Sequence, residues 1–305
     1  LDVAALLAVY LHGSSLALHL YCPAMSLSIA TWNINSVRLR IGNVERYLKM
    51  RKPDVLCLQE TKCPDEHFPH MAFEALGYKH RLIQGMKSYN GVAILSKVPF
   101  TAMHVHHRCG KEDCRHIEAA LDVGGDPILL DNLYIPAGGD IPDVEQNVKF
   151  AHKLDFYREM ASWYAARKPT KGARKGLRRI AVGDLNVAPL EHDVWSHKQL
   201  LTVVSHTPVE VDLFGRMMAA MDWIDVPRKF VPPEKKLYSW WSYRAHDWEI
   251  SDRGRRLALD GAGDVGAVPR LPVARRGRAG SPPDGLDRDV CLAPGLRRDD
   301  VLHVA

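Results

Sequence analysis

Apolar positions along this chain fall into short runs of two kinds. In "LSIATWNIN" (27–35) and "DVLCLQE" (54–60) they are continuous or alternate and end on polar residues, as in strands with one or both faces buried. In "IGNVERYLKM" (41–50) and "DEHFPHMAFEAL" (65–76) they recur at helical spacing, which predicts two amphipathic helices. "GVAILSK" (91–97), "RHIEAALDV" (115–123) and "PILLDNLYIP" (127–136) read as further strands bounded by Gly, Pro or Asp. A long helix over about 143–167 then precedes the strand in "RRIAVGDLNVAP" (178–189). This alternation predicts an α/β fold with mixed sheets.

The two ends read differently from the middle. Residues 1–24 begin with Leu and carry apolar runs broken by His12, Gly13, Ser14 and Ser15, a poor signal peptide and too interrupted to span a membrane. Met25 is the natural start, and 1–24 are expected to be an upstream extension without chemistry. From Ala258 onward Phe, Tyr, Trp, Ile, Lys and Glu vanish and Gly, Pro, Ala, Arg and Asp dominate, so 258–305 are expected to bury little and to be poorly ordered. The domain is expected to occupy 25–257.

Charge and cysteine usage narrow the partners. The chain has a formal charge of +5, and Asp2 is the one charged residue of 1–24. Seven Arg and seven Asp cancel in 258–305, which leaves +6 on 25–257. A modest positive excess suits a phosphate-rich partner, and also plain solubility. Six scattered cysteines do not make the framework of a small secreted domain, so reduced thiols in a cytoplasmic protein are expected. "HVHHRCGKEDCRH" (104–116) gathers His and Cys, but not at a strong zinc spacing, and no zinc is expected there.

Candidate chemistry collects where strands end. Asn33, Glu60, Tyr134, Asp184 and Asn186 each close a predicted strand, and Asp184 and Asn186 point the same way with Leu185 turned inward. Ligands of sheet proteins gather at such ends, and a hard cation such as Mg²⁺ takes carboxylate and amide oxygens. Singly, each has a blander role: Glu60 a surface residue, Tyr134 a core aromatic, Asn186 an Asx-turn former.

In order along the chain, "ATWNINSVRLR", "PDVLCLQETK", "YNGVAILSK", "LYIPAGG", "GDLNVAPLEHDVW", "VSHTPVE" and "YSWWSYR" resemble the exodeoxyribonuclease III family, within the endonuclease/exonuclease/phosphatase superfamily, over about Met25–Leu257. The resemblance implies a four-layer sandwich of two mixed β-sheets flanked by helices. It implies a monomer acting on double-stranded DNA with Mg²⁺ or Mn²⁺, cutting 5′ to abasic sites and removing nucleotides from 3′ ends. Asn33, Glu60, Asp184 and Asn186 fall on metal-site positions, with Glu60 the direct ligand. Tyr134 falls on the residue that contacts the scissile phosphate. Asp184 falls on the aspartate that orients water or protonates the leaving oxygen, and Asn186 on its phosphate-positioning neighbour. Trp240, Trp241 and Arg244 fall where DNA and the abasic sugar are received, although a tryptophan pair also suits a core. The basic stretch 166–179 either tracks a DNA strand or is simply solvated.

The resemblance stops after Leu257. The family continues with Leu-Asp and later a Ser-Asp-His motif; here Asp260 comes two positions late, no Ser-Asp-His occurs, and His303 stands alone. The expectation is a DNA repair nuclease with weakened activity. The alternatives are a noncatalytic DNA-binding remnant and a phosphoesterase of small phosphate substrates, the latter disfavoured by "YSWWSYR".

Overall fold

Side chains alternate along the central strands so that each buries both faces. The computed structural model describes residues 6–7, 15–22, 25–124, 127–169, 178–237 and 302–304. Its strands are β1 (Leu6–Leu7), β2 (Ser15–Cys22), β3 (Met25–Asn33), β4 (Val55–Gln59), β5 (His80–Gln84), β6 (Val92–Ser96), β7 (Phe100–Val105), β8 (His116–Leu121), β9 (Ile128–Tyr134), β10 (Arg178–Asp184), β11 (Ile224–Asp225) and β12 (Leu302–Val304). Its helices are α1 (Ile41–Arg51), α2 (His70–Glu74), α3 (Val148–Ala165), α4 (His197–Leu200), α5 (Pro208–Ala220) and α6 (Val226–Phe230).

The strands make two sheets, ordered β11-β1-β10-β9-β8-β7 and β12-β2-β3-β4-β6-β5. Both are mixed: β9 runs parallel to β10 and β3 to β4, while β8 with β9 and β4 with β6 are antiparallel. Leu27 and Ile29 of β3 and Val55 and Cys57 of β4 meet Ile117, Leu130, Ile180 and Val182 of the other sheet in a core between the sheets. The intervening Ala30, Trp32, Leu56 and Leu58 pack outward under α1 and α2, against Val44, Tyr47, Leu48 and Phe73. On the far side Leu133 and Ala181 pack under α3 and α5, against Phe150, Leu154, Tyr157, Leu213 and Phe214. The result is the expected helix, sheet, sheet, helix sandwich.

One polar clasp crosses the apolar middle. Gln59 of β4 donates through Nε2 to Asn132 Oδ1 of β9 at 2.6 Å and to Thr31 Oγ1 at 3.0 Å. Asn132 in turn donates through Nδ2 to the Leu58 and Ala93 carbonyls of the opposite sheet at 3.0 and 2.9 Å.

Several local expectations are corrected. The helix expected over 65–76 is split: Asp65–His67 is a single 3₁₀ turn, and α2 starts only at His70. Pro69 explains this, since it holds Phe68 extended (ψ 139°). The helix expected from 143 begins at Val148, because the Asp143 carboxylate accepts from the amides of Glu145 and Gln146 in a turn and Asn147 then caps the helix. Strand β5 was not anticipated; its residues are all half-buried and show no alternation. Strand β2 pairs antiparallel with Met25–Trp32 of β3, from Ser15 opposite Trp32 to Cys22 opposite Met25.

The segment "HVHHRCGKEDCRH" serves an ionic cluster beneath α3. His116, fully buried, faces Asp131 Oδ1 through Nε2 at 3.0 Å and takes Arg108 Nη2 on Nδ1 at 2.8 Å, which makes it the Nε2–H tautomer. Arg179 bridges Asp131 and Glu118, and the guanidiniums of Arg108, Arg167 and Arg179 lie 4.6, 4.0 and 5.2 Å from the Trp163 ring. Cys57, Cys63, Cys109 and Cys114 are free thiols. Among the described residues no group of three or more His, Cys, Asp or Glu is placed to hold a metal.

Burial and the nearby Arg108 and Arg179 hold the His116 imidazole well below its ordinary value, so it is neutral in the folded chain. The unfolded chain gains that proton below about pH 6.5, so folding stability falls as pH drops from there. We expect His116→Gln to remove about one proton from the pH slope of the unfolding free energy between about pH 6.5 and 5. Urea denaturation across that range measures it, and an unchanged slope would mean that His116 is protonated in the fold.

Candidate active site

Parallel pairing brings the candidate residues to one edge of the sandwich. Asn33 lies opposite Gln59 in the β3–β4 pair, and Tyr134 opposite Asp184 in the β9–β10 pair, so both sheets present their carboxyl ends together. The inter-sheet clasp fixes the two edges against each other, because Gln59 directly precedes Glu60 and Asn132 lies two residues before Tyr134.

Four of the five candidates form one hydrogen-bonded unit. The Asn33 amide nitrogen donates to Glu60 Oε1 at 3.0 Å and to Asp184 Oδ2 at 2.7 Å, which draws two carboxylates toward one point. The Tyr134 hydroxyl donates to the same Glu60 Oε1 at 2.9 Å. Asp184 is 1% exposed, and its other oxygen accepts from the Asn186 backbone amide at 3.0 Å. Asn186 is thus joined to the unit through its backbone, while its side-chain nitrogen donates to the Ile135 carbonyl at 2.8 Å. Desolvation, followed by the Glu60 and Asp184 charges, pushes the Tyr134 phenol well above its usual range and keeps it a neutral donor. Trp240, Trp241, Arg244 and residues 170–177 of the basic stretch lie outside the described residues.

The backbone here is held in an unusual conformation. Asn35, Ser36, Glu60, Lys62 and Asn186 all have positive φ, between 44° and 88°. Non-glycine residues pay for this region, roughly 1–3 kcal/mol each where the conformation is strained, so the surroundings must over-determine it. Ile34, Ser36 and Val37 donate to the carbonyls of Gln59, Glu60 and Thr61, Thr61 and Lys62 donate to those of Gly91 and Asn90, and the Asn35 and Asn186 amides donate to the Asn33 and Asp184 side chains.

Three polar neighbours escaped the reading of the sequence. Lys62 pairs with Glu60 Oε2 at 2.7 Å and donates to Asn35 Oδ1 at 2.6 Å. The Arg115 guanidinium stacks 4.8 Å from the Tyr134 ring. The signal for Asn35 and Lys62 was their nearness in sequence, each two residues beyond a named candidate.

The donor set is chemically suited to a hard cation. Two carboxylates converge, oxygen donors of the kind Mg²⁺ and Mn²⁺ prefer; the Asn33 amide meets them through its nitrogen while its oxygen accepts from the Asn35 backbone amide, and the Lys62 ammonium on Glu60 marks a carboxylate that already draws positive charge. Glu60 and Asp184 would be the principal ligands, with Asn33 and Asn186 beside them.

The chain is similar to known proteins over most of its length. The profile described as the Endonuclease/Exonuclease/phosphatase family matches residues 30–295, which runs past Leu257, where the motif resemblance stops. Exodeoxyribonuclease III of Haemophilus influenzae is 28% identical over 239 residues, 76% of this chain and 85% of that protein. Recombination repair protein 1 of Drosophila melanogaster is 25% identical over 224 residues, 72% of this chain but 31% of that longer protein. Among solved structures, an AP endonuclease from Archaeoglobus fulgidus aligns with TM-score 0.64 and 29% identity over 75% of this chain and 82% of its own. A 3′-5′ exonuclease from Neisseria meningitidis aligns with TM-score 0.62 and 27% identity over 75% and 81%.

Gly183 sets how closely β10 approaches β9 beside Asp184. With φ at +138°, a Cβ there would lie 1.9 Å from the Leu133 carbonyl oxygen, a backbone atom that cannot step aside. We expect Gly183→Ala to cost about 2–4 kcal/mol of stability by parting the strands that carry Tyr134 and Asp184. Denaturant unfolding measures it; a loss under about 0.5 kcal/mol, the size of an ordinary surface change, would contradict the close approach.

Proposed function

Because the chain belongs to the endonuclease/exonuclease/phosphatase family, we propose that it is a Mg²⁺- or Mn²⁺-dependent DNA repair nuclease, which cuts duplex DNA 5′ to an abasic site and removes nucleotides from 3′ ends. The observation that carries the reading is the Asn33 amide joining Glu60 and Asp184, with the Tyr134 hydroxyl on the same Glu60 oxygen. The names of the relatives, a DNA repair nuclease from Danio rerio among them, support the choice of substrate. The positive body of the chain suits a duplex, as does the aromatic segment with Trp240, Trp241 and Arg244.

Phosphodiester hydrolysis needs a water in line with the leaving oxygen, relief of charge on the nonbridging oxygens and a proton for the departing 3′ oxygen. A bound divalent cation supplies charge relief. Asp184 is buried and held by Asn33 and the Asn186 amide, so its carboxylate is fixed to accept a proton from water or to return one to the leaving oxygen. Tyr134, kept protonated, serves as a hydrogen-bond donor to a phosphate oxygen.

A second reading, a DNA-binding remnant, is favoured by one observation: Ser-Asp-His does not occur in the sequence. A positioned acid–base group of that kind contributes about 10²- to 10⁴-fold. We expect this chain to cleave an abasic-site duplex with Mg²⁺ more slowly, by about that factor, than a version carrying the family's ending after Leu257. Equal rates would show that the missing motif is not needed here, and no cleavage by either would leave the remnant.

Binding gives a separate check. Affinity for the abasic duplex should fall steeply between about 50 and 200 mM salt, as contacts with several phosphates require. Mg²⁺ should tighten it, and Glu60→Gln should abolish that response. Salt-insensitive binding, or a Glu60→Gln protein still responsive to Mg²⁺, would refute the assignment.

A further inference from the structure

Lys153 is a lysine in the interior of the molecule. It lies on α3, and both it and Glu210 of α5 are fully buried, with Nζ 2.5 Å from Glu210 Oε1. An apolar side chain of the same length would pack α3 onto the sheet without the cost of desolvating an ammonium. The contacts of the ammonium give its use. It donates to the Asn186 carbonyl at 2.7 Å, to Ser205 Oγ at 3.2 Å and to the Ala137 carbonyl at 3.2 Å. These acceptors belong to three separate loops, following β9, following β10 and preceding α5. A compact ammonium with three donors can tie such a junction as no planar group could.

The rest of the junction is built around it. Glu210 accepts from the Ser205 and Thr207 amides and the Thr207 hydroxyl, so its carboxylate is held from the loop side as well. One turn along the same face of α3, Tyr157 donates to the Leu185 carbonyl at 2.5 Å. Two consecutive carbonyls after Asp184 are therefore gripped by one helix face. Gly138 leaves the path for the lysine, since a Cβ there would lie 2.8 Å from Lys153 Cδ.

We propose that Lys153, charge-paired with Glu210, is a positioning residue that holds the Asp184–Asn186 turn in its left-handed, site-forming conformation. What that turn does in catalysis rests on the nuclease reading; that the lysine holds it does not. Removing one charge leaves its partner buried and alone, whereas removing both leaves a junction of the same shape without the grip.

The test compares the full chain with Lys153→Met, Glu210→Gln and the double variant Lys153→Met/Glu210→Gln. Three readings are taken: urea unfolding, amide hydrogen exchange at Asn186 and Ala188, and cleavage of an abasic-site duplex with Mg²⁺. Each single variant should be destabilised and the double should recover most of the loss. In the recovered double variant, exchange at the two amides should still run at least about tenfold faster than in the parent, and kcat should be about 10- to 100-fold lower with KM for DNA within about twofold, the signature of a misplaced reacting group. Parent-like exchange at both amides in the double variant overturns the proposal. So does a double variant less stable than either single, which would make the pair a support of the fold alone. A parent chain that does not cleave overturns the nuclease reading instead, and the exchange result still decides the role of Lys153.

Discussion

The clasp between Gln59 and Asn132 is the contact on which the geometry of the candidate site depends. Apolar surfaces hold two sheets together but specify little about how one is offset along the other, since aliphatic side chains repack at small cost. Directional bonds do specify it, and in a dry interior an unmade one is expensive. Asn132 reaches into the opposite sheet to the carbonyls of Leu58 and Ala93, while Gln59 reaches back to Asn132. Glu60 and Tyr134 sit at the open end of those same strands, so the registration of the sheets is inherited by the 2.9 Å contact between them.

Local strain and global order then work together. The left-handed residues at the strand ends are unfavourable singly, but Ser36, Glu60 and Lys62 are held by backbone bonds between the loops, and Asn35 and Asn186 by side chains on their backbone groups. The side chains that matter for chemistry are consequently placed by main chain more than by their own flexibility. This suits a site built from short polar groups, Asn, Asp and Glu, that have little reach with which to correct an error.

Much of this was legible before any coordinates. Buried strands announce themselves by alternation, and the polar residue at the end of each is where the hydrophobic requirement ceases; that is why Asn33, Glu60, Tyr134 and Asp184 could be picked out together. Other features are invisible to such a reading. Pro69 lies inside a run with helical spacing, yet it holds Phe68 extended. β5 lacks alternation because all its residues are half-buried. Lys153 sits in a run that scans as an ordinary amphipathic helix, where a lysine implies solvent, and only the converging loops reveal why it is inside. The clasp was equally hidden, since a Gln and an Asn within strand patterns carry no mark of the partner they meet.

The bond from Asn33 to Asp184 joins residues 151 positions apart. During synthesis, the first strand of the site leaves the ribosome long before the strand that completes it, and closing so long a loop is favourable only once the layers between have folded. No early fragment of the chain can hold both carboxylates on one amide. A site arranged in this way does not exist while the chain is being made; it arrives with the folding of the whole sandwich.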